Sequence, residues 1–263
     1  MIPILLAGYL WAGIGGDDQA LAARFTPPAG HQRVDVAAGS FGAWLRGLPL
    51  RPGRSVVRLF DGRRKSSQDV HLAVVDIDVG AKDLQQCADA VMRLRAEYLF
   101  SAGRKDDVSF HFTSGDLARF DQWAAGQRPR VDGARVRWSR VRPPDSSYAS
   151  FRTFMDTVFQ YAGSKSLADE LVPAPVRDLR PGDVFIQGGF PGHAVIVVDV
   201  AVRPDGARAF LLAQSYMPAQ DIHVLKNPAT GEAWFTATAG QPLDTPEWTF
   251  PPDSLRRFRE PDR

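Results

Sequence analysis

His193-Ala194-Val195-Ile196-Val197-Val198-Asp199-Val200 is the stretch on which the fold turns. It is almost continuously apolar and rich in β-branched residues, so it predicts a central strand buried on both faces. Arg203-Pro204-Asp205-Gly206 follows as a hairpin turn, and Ala209 to Tyr216 as the strand that returns beside it. Asp183 to Gln187 comes before and Asp221 to Leu225 after, so residues 183–225 predict an antiparallel sheet. Counting out from the turn sets position 193 opposite Tyr216 and diagonal to Gln214. Side chains two residues apart share a face, so Gln214 and Tyr216 are expected on the side of His193.

Working upstream, the clearest helix runs from Leu84 to about Ser101. Asp83 and Gln86 have the spacing of a capping pair. Leu84, Cys87, Val91, Leu94 and Tyr98 recur as one apolar stripe, leaving Arg93, Arg95 and Glu97 for an outer face with a salt bridge. The stripe has to be buried, and the apolar strand is the best partner for it, which brings the helix start to the strand start. Farther out, Ser40 to Leu45 reads as a short capped helix. Val56–Phe60 and Val70–Val79 read as a hairpin around Asp61–Lys65. Val108–Thr113 reads as a strand, and Asp116–Ala125 and Tyr148–Tyr161 as helices. Residues 126–147 are rich in Arg, Pro and Gly and read as an excursion, and the tail from Pro251 as loose charged chain.

The 263 residues are 44% hydrophobic and 24% charged, the composition of a globular chain with a full core and not of a disordered one. Lys and Arg number 32 against 30 Asp and Glu, a net +2 that is too small for a dedicated nucleic-acid binder, so no specific nucleic acid is expected as a partner. A single cysteine excludes an internal disulfide. Met1 to Gly16 is apolar, uncharged and too glycine-rich to span a bilayer. It reads as a signal remnant or as an N-terminal strand, and export to the periplasm or cell envelope is the expectation. Arg63, Arg64 and Lys65 belong to a basic run that starts at Arg51. The plain reading is solvated charge guarding a strand edge; the functional one is a weak contact with an anionic surface.

Three residues fall in an order that thiol chemistry uses. Cys87 lies near the start of the helix, where unpaired N–H groups favour an anion. His193 opens the buried strand and is placed to take and return a proton. Gln214, on the next strand, is placed to fix the histidine ring. The backbone N–H of Cys87, with Gln85 or Gln86, supplies oxyanion donors in this reading, and Tyr216 a cleft wall. No metal or organic cofactor is implied: His71, His111 and His223 share no ligand spacing. Gly188-Gly189-Phe190-Pro191-Gly192 lacks the Lys-Ser/Thr of a phosphate loop and reads as a mobile loop that brings backbone close to a substrate. A lone cysteine on an apolar stripe is also what a plain core residue looks like.

At these residues a resemblance enters. Arg180-Pro181-Gly182-Asp183-Val184-Phe185-Ile186 followed by Gly192-His193-Ala194-Val195 resembles the strand signatures of papain-like bacterial peptidases, the NlpC-type and cysteine-histidine-dependent amidohydrolase/peptidase groups. More closely, residues 9–250 resemble the bacterial domain-of-unknown-function family 4846. Leu84-Gln85-Gln86-Cys87-Ala88-Asp89-Ala90, Pro191-Gly192-His193 and Leu212-Ala213-Gln214-Ser215-Tyr216-Met217-Pro218 carry that likeness. The resemblance implies an α+β fold with a papain-like core, the Cys87 helix packed on the antiparallel sheet. An N-terminal hairpin and a lobe inserted at about 102–147 would wall the cleft. The expected layout is residues 1–16 as signal remnant or strand, 17–250 as one domain and 251–263 as tail. It implies a thiol hydrolase cutting an amide, in a peptide or peptidoglycan-like substrate of the cell wall, with catalytic residues Cys87, His193 and Gln214. The alternative is a non-catalytic envelope module that binds through Trp123, Trp138, Phe190, Tyr216 and Trp234.

Overall fold

A computed structural model describes residues 19–259; the expectations for residues 1–16 lie outside them. The apolar strand forms and extends over His193–Val202, with every residue up to Ala201 buried. Each fully buried Val or Ile in it contributes about 1.5–3 kcal/mol, which is what makes this segment central. Val184–Gln187 pairs with it on one side and Arg208–Gln214 on the other, both antiparallel. The sheet continues through His223–Leu225 to His71–Val74 at one edge, and through Leu255–Arg257 to Val172–Pro173 at the other.

Register decides what shares a face. Arg208 stands opposite Val202 and Leu211 opposite Asp199, but Leu212 stands opposite Val197, so a bulge takes up Val198. Beyond it Ala213 faces Ile196, a register that sets position 216 against 193 when continued three residues. The bulge is organised by Asp199, a fully buried carboxylate. It accepts from Arg33 Nε and Arg46 Nε, each at 2.6 Å, and from its neighbour's Val200 N–H at 2.8 Å. Val195 and Val197 pack with Phe210, Leu212 and Phe250 on one face. Ala194, Ile196 and Val198 pack on the other, with the cysteine-bearing helix.

That helix covers Cys87–Ser101, three residues later than its stripe suggests. Asp89 Oδ2 accepts the Gln86 N–H at 3.0 Å, which makes Gln86 the cap. Asp83 is used elsewhere: its Oδ1 accepts the Ala219 N–H at 2.7 Å and Gln86 Nε2 at 3.2 Å, tying the turn before the helix to the loop after Gln214. Cys87 is therefore the first helical residue. The expected outer face is also absent. Arg93, Arg95 and Glu97 are buried, and Arg93 Nε meets Glu97 Oε1 at 2.6 Å inside the protein. The sheet covers one side of the helix, and on the other Phe100 packs against Phe151 of helix Tyr148–Tyr161, ring centres 4.5 Å apart. Among the described residues there are six helices, and none is long and apolar enough to cross a membrane.

The class is α+β, as expected, and several local expectations need correcting. The hairpin expected over 56–79 does not form. Residues 58–60 bond to 219–221, because Asp221 accepts the Arg58 N–H and pairs with Arg51, while His71–Val74 goes to His223–Leu225. Within the helix expected over Asp116–Ala125, Leu117–Arg119 is a strand and only Phe120–Ala124 is helical. The excursion is a hairpin of Gln127–Asp132 with Arg135–Arg140. Phe110, Phe112, Phe120 and Trp123 of this segment join the core around the cysteine helix. The expected loose tail contains a strand, Leu255–Arg257. Leu255 is buried, and Arg257 clamps the buried Asp183 with Nε at 2.6 Å and Nη2 at 2.8 Å.

Candidate functional site

The start of the cysteine helix and the start of the histidine strand open onto one cavity of about 400 Å³. Leu84, Gln86 and Cys87 form one wall, Phe159 to Ser164 another, and the loop Gly189–His193 a third. Tyr216, Met217 and Trp248 complete it. Neither the 56–79 segment nor the 102–147 segment lines the cavity, against the expectation that they wall it. Gly192 is needed just before the histidine. A Cβ there would meet Ser164 Oγ, and the carbonyl oxygens of Gly189 and Gln187 at 2.5 and 2.8 Å. Ser164 Oγ in turn donates to Gly189 O at 3.1 Å, so the loop is fastened to the helix Ser164–Glu170.

His193 is 2% exposed and caged by aromatic rings, with centres at 4.9 Å to Tyr216, 5.3 Å to Trp248 and 5.7 Å to Phe250. Its Nε2 lies 2.9 Å from Gln214 Oε1. Oε1 only accepts, so Nε2 carries the proton and Nδ1 carries the lone pair of the neutral ring. Burial pushes the imidazole down to about 4; the Gln214 bond opposes that shift and the Lys65 ammonium adds to it. Gln214 is itself buried, and its Nε2 donates to Glu247 Oε2 at 2.8 Å. Glu247 Oε1 meets Lys65 Nζ at 2.6 Å.

Cys87 is half-buried. Burial is the largest influence on its thiol and raises it to about 11; the Asp89 carboxyl pushes the same way, and the backbone N–H groups of Ala88, Ala194 and Cys87 only partly oppose them. The expected depression of the thiol by the helix end is thus outweighed by desolvation. The Ala194 contribution also places the sulfur beside the residue that follows His193. Asp89 is raised to about 8 by burial, and its Oδ1 has no partner.

The structure brings Cys87, His193, Gln86 and Tyr216 to one cavity, with Gln214 directly behind the histidine. Gln85 is not there: Oε1 accepts from Arg93 Nη1 at 2.9 Å and its carbonyl accepts from Ser215 Oγ at 3.0 Å, so it braces the helix start. Of the aromatics considered for binding, Phe190 and Tyr216 line the cavity. Trp123 bonds Ser150 Oγ, Trp138 stacks on Phe112, and Trp234 reaches Thr26 O. Lys65 is buried and Arg51, Arg54 and Arg63 are paired with Asp221, Asp69 and Asp61. Glu247 and Trp248 were not legible. They sit in Thr245-Pro246-Glu247-Trp248, a turn closed by Thr245 Oγ1 accepting the Trp248 N–H, with no pattern to link it to a strand.

Among the described residues no group of three His, Cys, Asp or Glu side chains is placed to hold a metal. His71 Nε2 bonds Ser55 O at 2.8 Å, edge-on to His223, and His111 lies against Glu170. A larger cavity of about 730 Å³ lies between residues 106–119 and Ser166–Glu170 and contains none of the expected site residues. A family model described as domain of unknown function (4846) matches residues 21–257. No curated protein and no solved structure matches the chain.

Proposed function

The chain belongs to the domain-of-unknown-function family 4846, and we propose that it is a thiol hydrolase with a papain-like core, cutting an amide bond. The observation that carries this reading is the bond from His193 Nε2 to Gln214 Oε1, which leaves a bare Nδ1 on a residue that shares an open cavity with the lone cysteine. A thiol near 11 and an imidazole near 4 do not exchange a proton at rest. About seven pH units of mismatch cost on the order of 10 kcal/mol. The proton therefore moves as the sulfur attacks. Sγ bonds to the carbonyl carbon while Nδ1 takes its proton. The C–N bond then breaks and Nδ1–H protonates the departing amine, leaving a thioester. Water then adds to the thioester carbon as Nδ1 takes its proton; the C–S bond breaks, the acid leaves, and Nδ1–H returns the proton to Sγ. The Cys87 N–H, at the first turn of the helix and without an intrahelical acceptor, faces the developing oxyanion.

The cavity lining includes Asp83 and Asp89 but no Lys or Arg, and Phe190 and Met217 stand exposed at its wall. Uncharged and apolar peptide segments suit it better than anionic ones. A cell-wall peptide is the substrate class we put forward, and the uncharged apolar stretch Met1–Gly16 is the support for export. The test is incubation with neutral and carboxylate-bearing cell-wall peptides, reading new termini and the mass of the Cys87 peptide. Release that is lost in Cys87→Ala, with a thioester on Cys87 that fails to form in His193→Ala, is expected. Intact peptides and an unmodified cysteine would overturn it.

One observation favours a second reading, a binding module without turnover: the thiol is held neutral. That reading expects saturable peptide binding that Cys87→Ala leaves unchanged, with no acyl adduct.

A further inference from the structure

Gln214 presents its oxygen to His193, yet a side-chain amide fits nearly as well when turned over. Turned over, Nε2 would donate to the ring, the proton would have to sit on Nδ1, and the base that the proposed hydrolase needs would be lost. What holds the amide the right way round is therefore as important to the site as Gln214 itself. Both amide protons have acceptors. One goes to Glu247 Oε2 at 2.8 Å. The other faces His223 Nε2 at 3.4 Å, whose ring Nδ1 donates to Asp221 O at 2.9 Å. Burial pushes His223 down to about 3, with Lys65, His71 and His193 adding to the shift, so this ring stays a neutral acceptor at Nε2. Glu247 is the stronger of the two anchors, through a shorter bond to a charged oxygen. Its own orientation is set by Lys65, 2.6 Å from Oε1 and seated over the Tyr216 ring at 5.1 Å.

We propose that Glu247, clamped by Lys65, is a positioning residue: it fixes the Gln214 amide and so holds His193 in the Nε2–H form with Nδ1 free to act as base. The proposal rests on the hydrolase reading for its purpose and on the hydrogen-bond chain for its content, and the two separate experimentally. Lys65 comes from the basic run and Glu247 from the Thr245–Trp248 turn, so two surface segments distant in sequence converge behind the site. The same turn lays Trp248 over the imidazole, which couples ring orientation to ring protonation.

The experiment reads the histidine ring nitrogens by long-range proton–nitrogen correlation spectra at pH 7, His193 being assigned by its loss in His193→Asn. The full chain is expected to show a protonated Nε2 and a bare Nδ1. In Glu247→Gln, Lys65 takes the new amide oxygen. The new NH₂ then faces Gln214 and drives it over, so His193 changes to the Nδ1–H form and acylation of Cys87 falls by roughly 10²-fold. Lys65→Met combined with Glu247→Gln frees the amide oxygen to accept from Gln214 again and is expected to restore the Nε2–H form, an outcome that general loss of structure does not produce. An Nδ1–H ring in the unaltered chain, or an Nε2–H ring that persists in Glu247→Gln, overturns the proposal. The expected tautomers without any acylation would instead leave the positioning intact and overturn the hydrolase reading alone.

Discussion

Replacing Asp89 with Asn should stabilise the protein, and by an amount that depends on pH. Asp89 is buried beside the candidate nucleophile with one oxygen bonded to the Gln86 N–H and the other without a partner. Burial raises its carboxyl from an ordinary 3.8 to about 8. A carboxyl raised on folding is most favourable to the folded state below the unfolded value. The stability it contributes falls away as pH rises from about 4 towards about 8 and is constant beyond that. Each pH unit in that window costs roughly 1 kcal/mol, so the wild type loses on the order of 5 kcal/mol between pH 4 and pH 8. Asn does not titrate, and its amide oxygen still caps Gln86. The difference in unfolding free energy between Asp89→Asn and wild type should be near zero below pH 3.5, about 1 kcal/mol at pH 4.5 and about 3 kcal/mol at pH 6. It should level off above pH 8. Urea unfolding at four pH values measures it, and every other titrating group cancels in the difference. A difference that stays flat within about 1 kcal/mol, or that favours wild type at pH 8, refutes the buried neutral carboxyl.

Cys87 is the only thiol, so its alkylation reads the site directly. Raised from 9.0 to about 11, it should carry about a hundredfold less thiolate at pH 7 than a free thiol, and its rate should climb tenfold per pH unit through pH 10. A plateau below pH 9 would show a preformed thiolate instead. Above pH 8, where Asp89 ionises, Asp89→Asn should react roughly 3–10-fold faster than wild type, with no difference at pH 6. Asp199→Ala leaves Arg33 and Arg46 facing an empty bulge and should cost about 3–5 kcal/mol in urea unfolding; a loss under 1 kcal/mol would mean that the bulge forms without it. Gly192→Ala should displace His193 by forcing apart the loop and Ser164. The readout is a changed His193 ring spectrum with the melting temperature lowered by only a few degrees, and an unchanged spectrum counts against the close approach.

What the sequence disclosed follows from which interactions are periodic. The strand His193–Val202 and its return strand were legible because apolar alternation and a turn fix pairing, and pairing fixes neighbours: Tyr216 packs on His193 and Gln214 bonds it. The bulge at Val198 was not, yet without it the register would set residue 217, not 216, against 193. Asp199 was the visible trace of that bulge, an acidic residue inside an apolar run. The helix start was misplaced because two acidic residues compete for the capping role. Asp89 takes it, since Asp83 is held by the Ala219 N–H, a contact between segments 136 residues apart. The burial of Arg93 and Glu97 was equally hidden, because a helix enclosed on every side keeps its charges by pairing them inside, and pairing at four-residue spacing looks the same on a surface. Glu247 and Lys65 belong to the same class. Each is an ordinary charged residue in a turn, and only the tertiary fold reveals that together they orient Gln214. The part of the site that holds Cys87, His193 and Gln214 sits on periodic elements and can be read. The part that decides which ring nitrogen holds the proton sits on loops, and it is set by long-range ion pairs that leave no pattern along the chain.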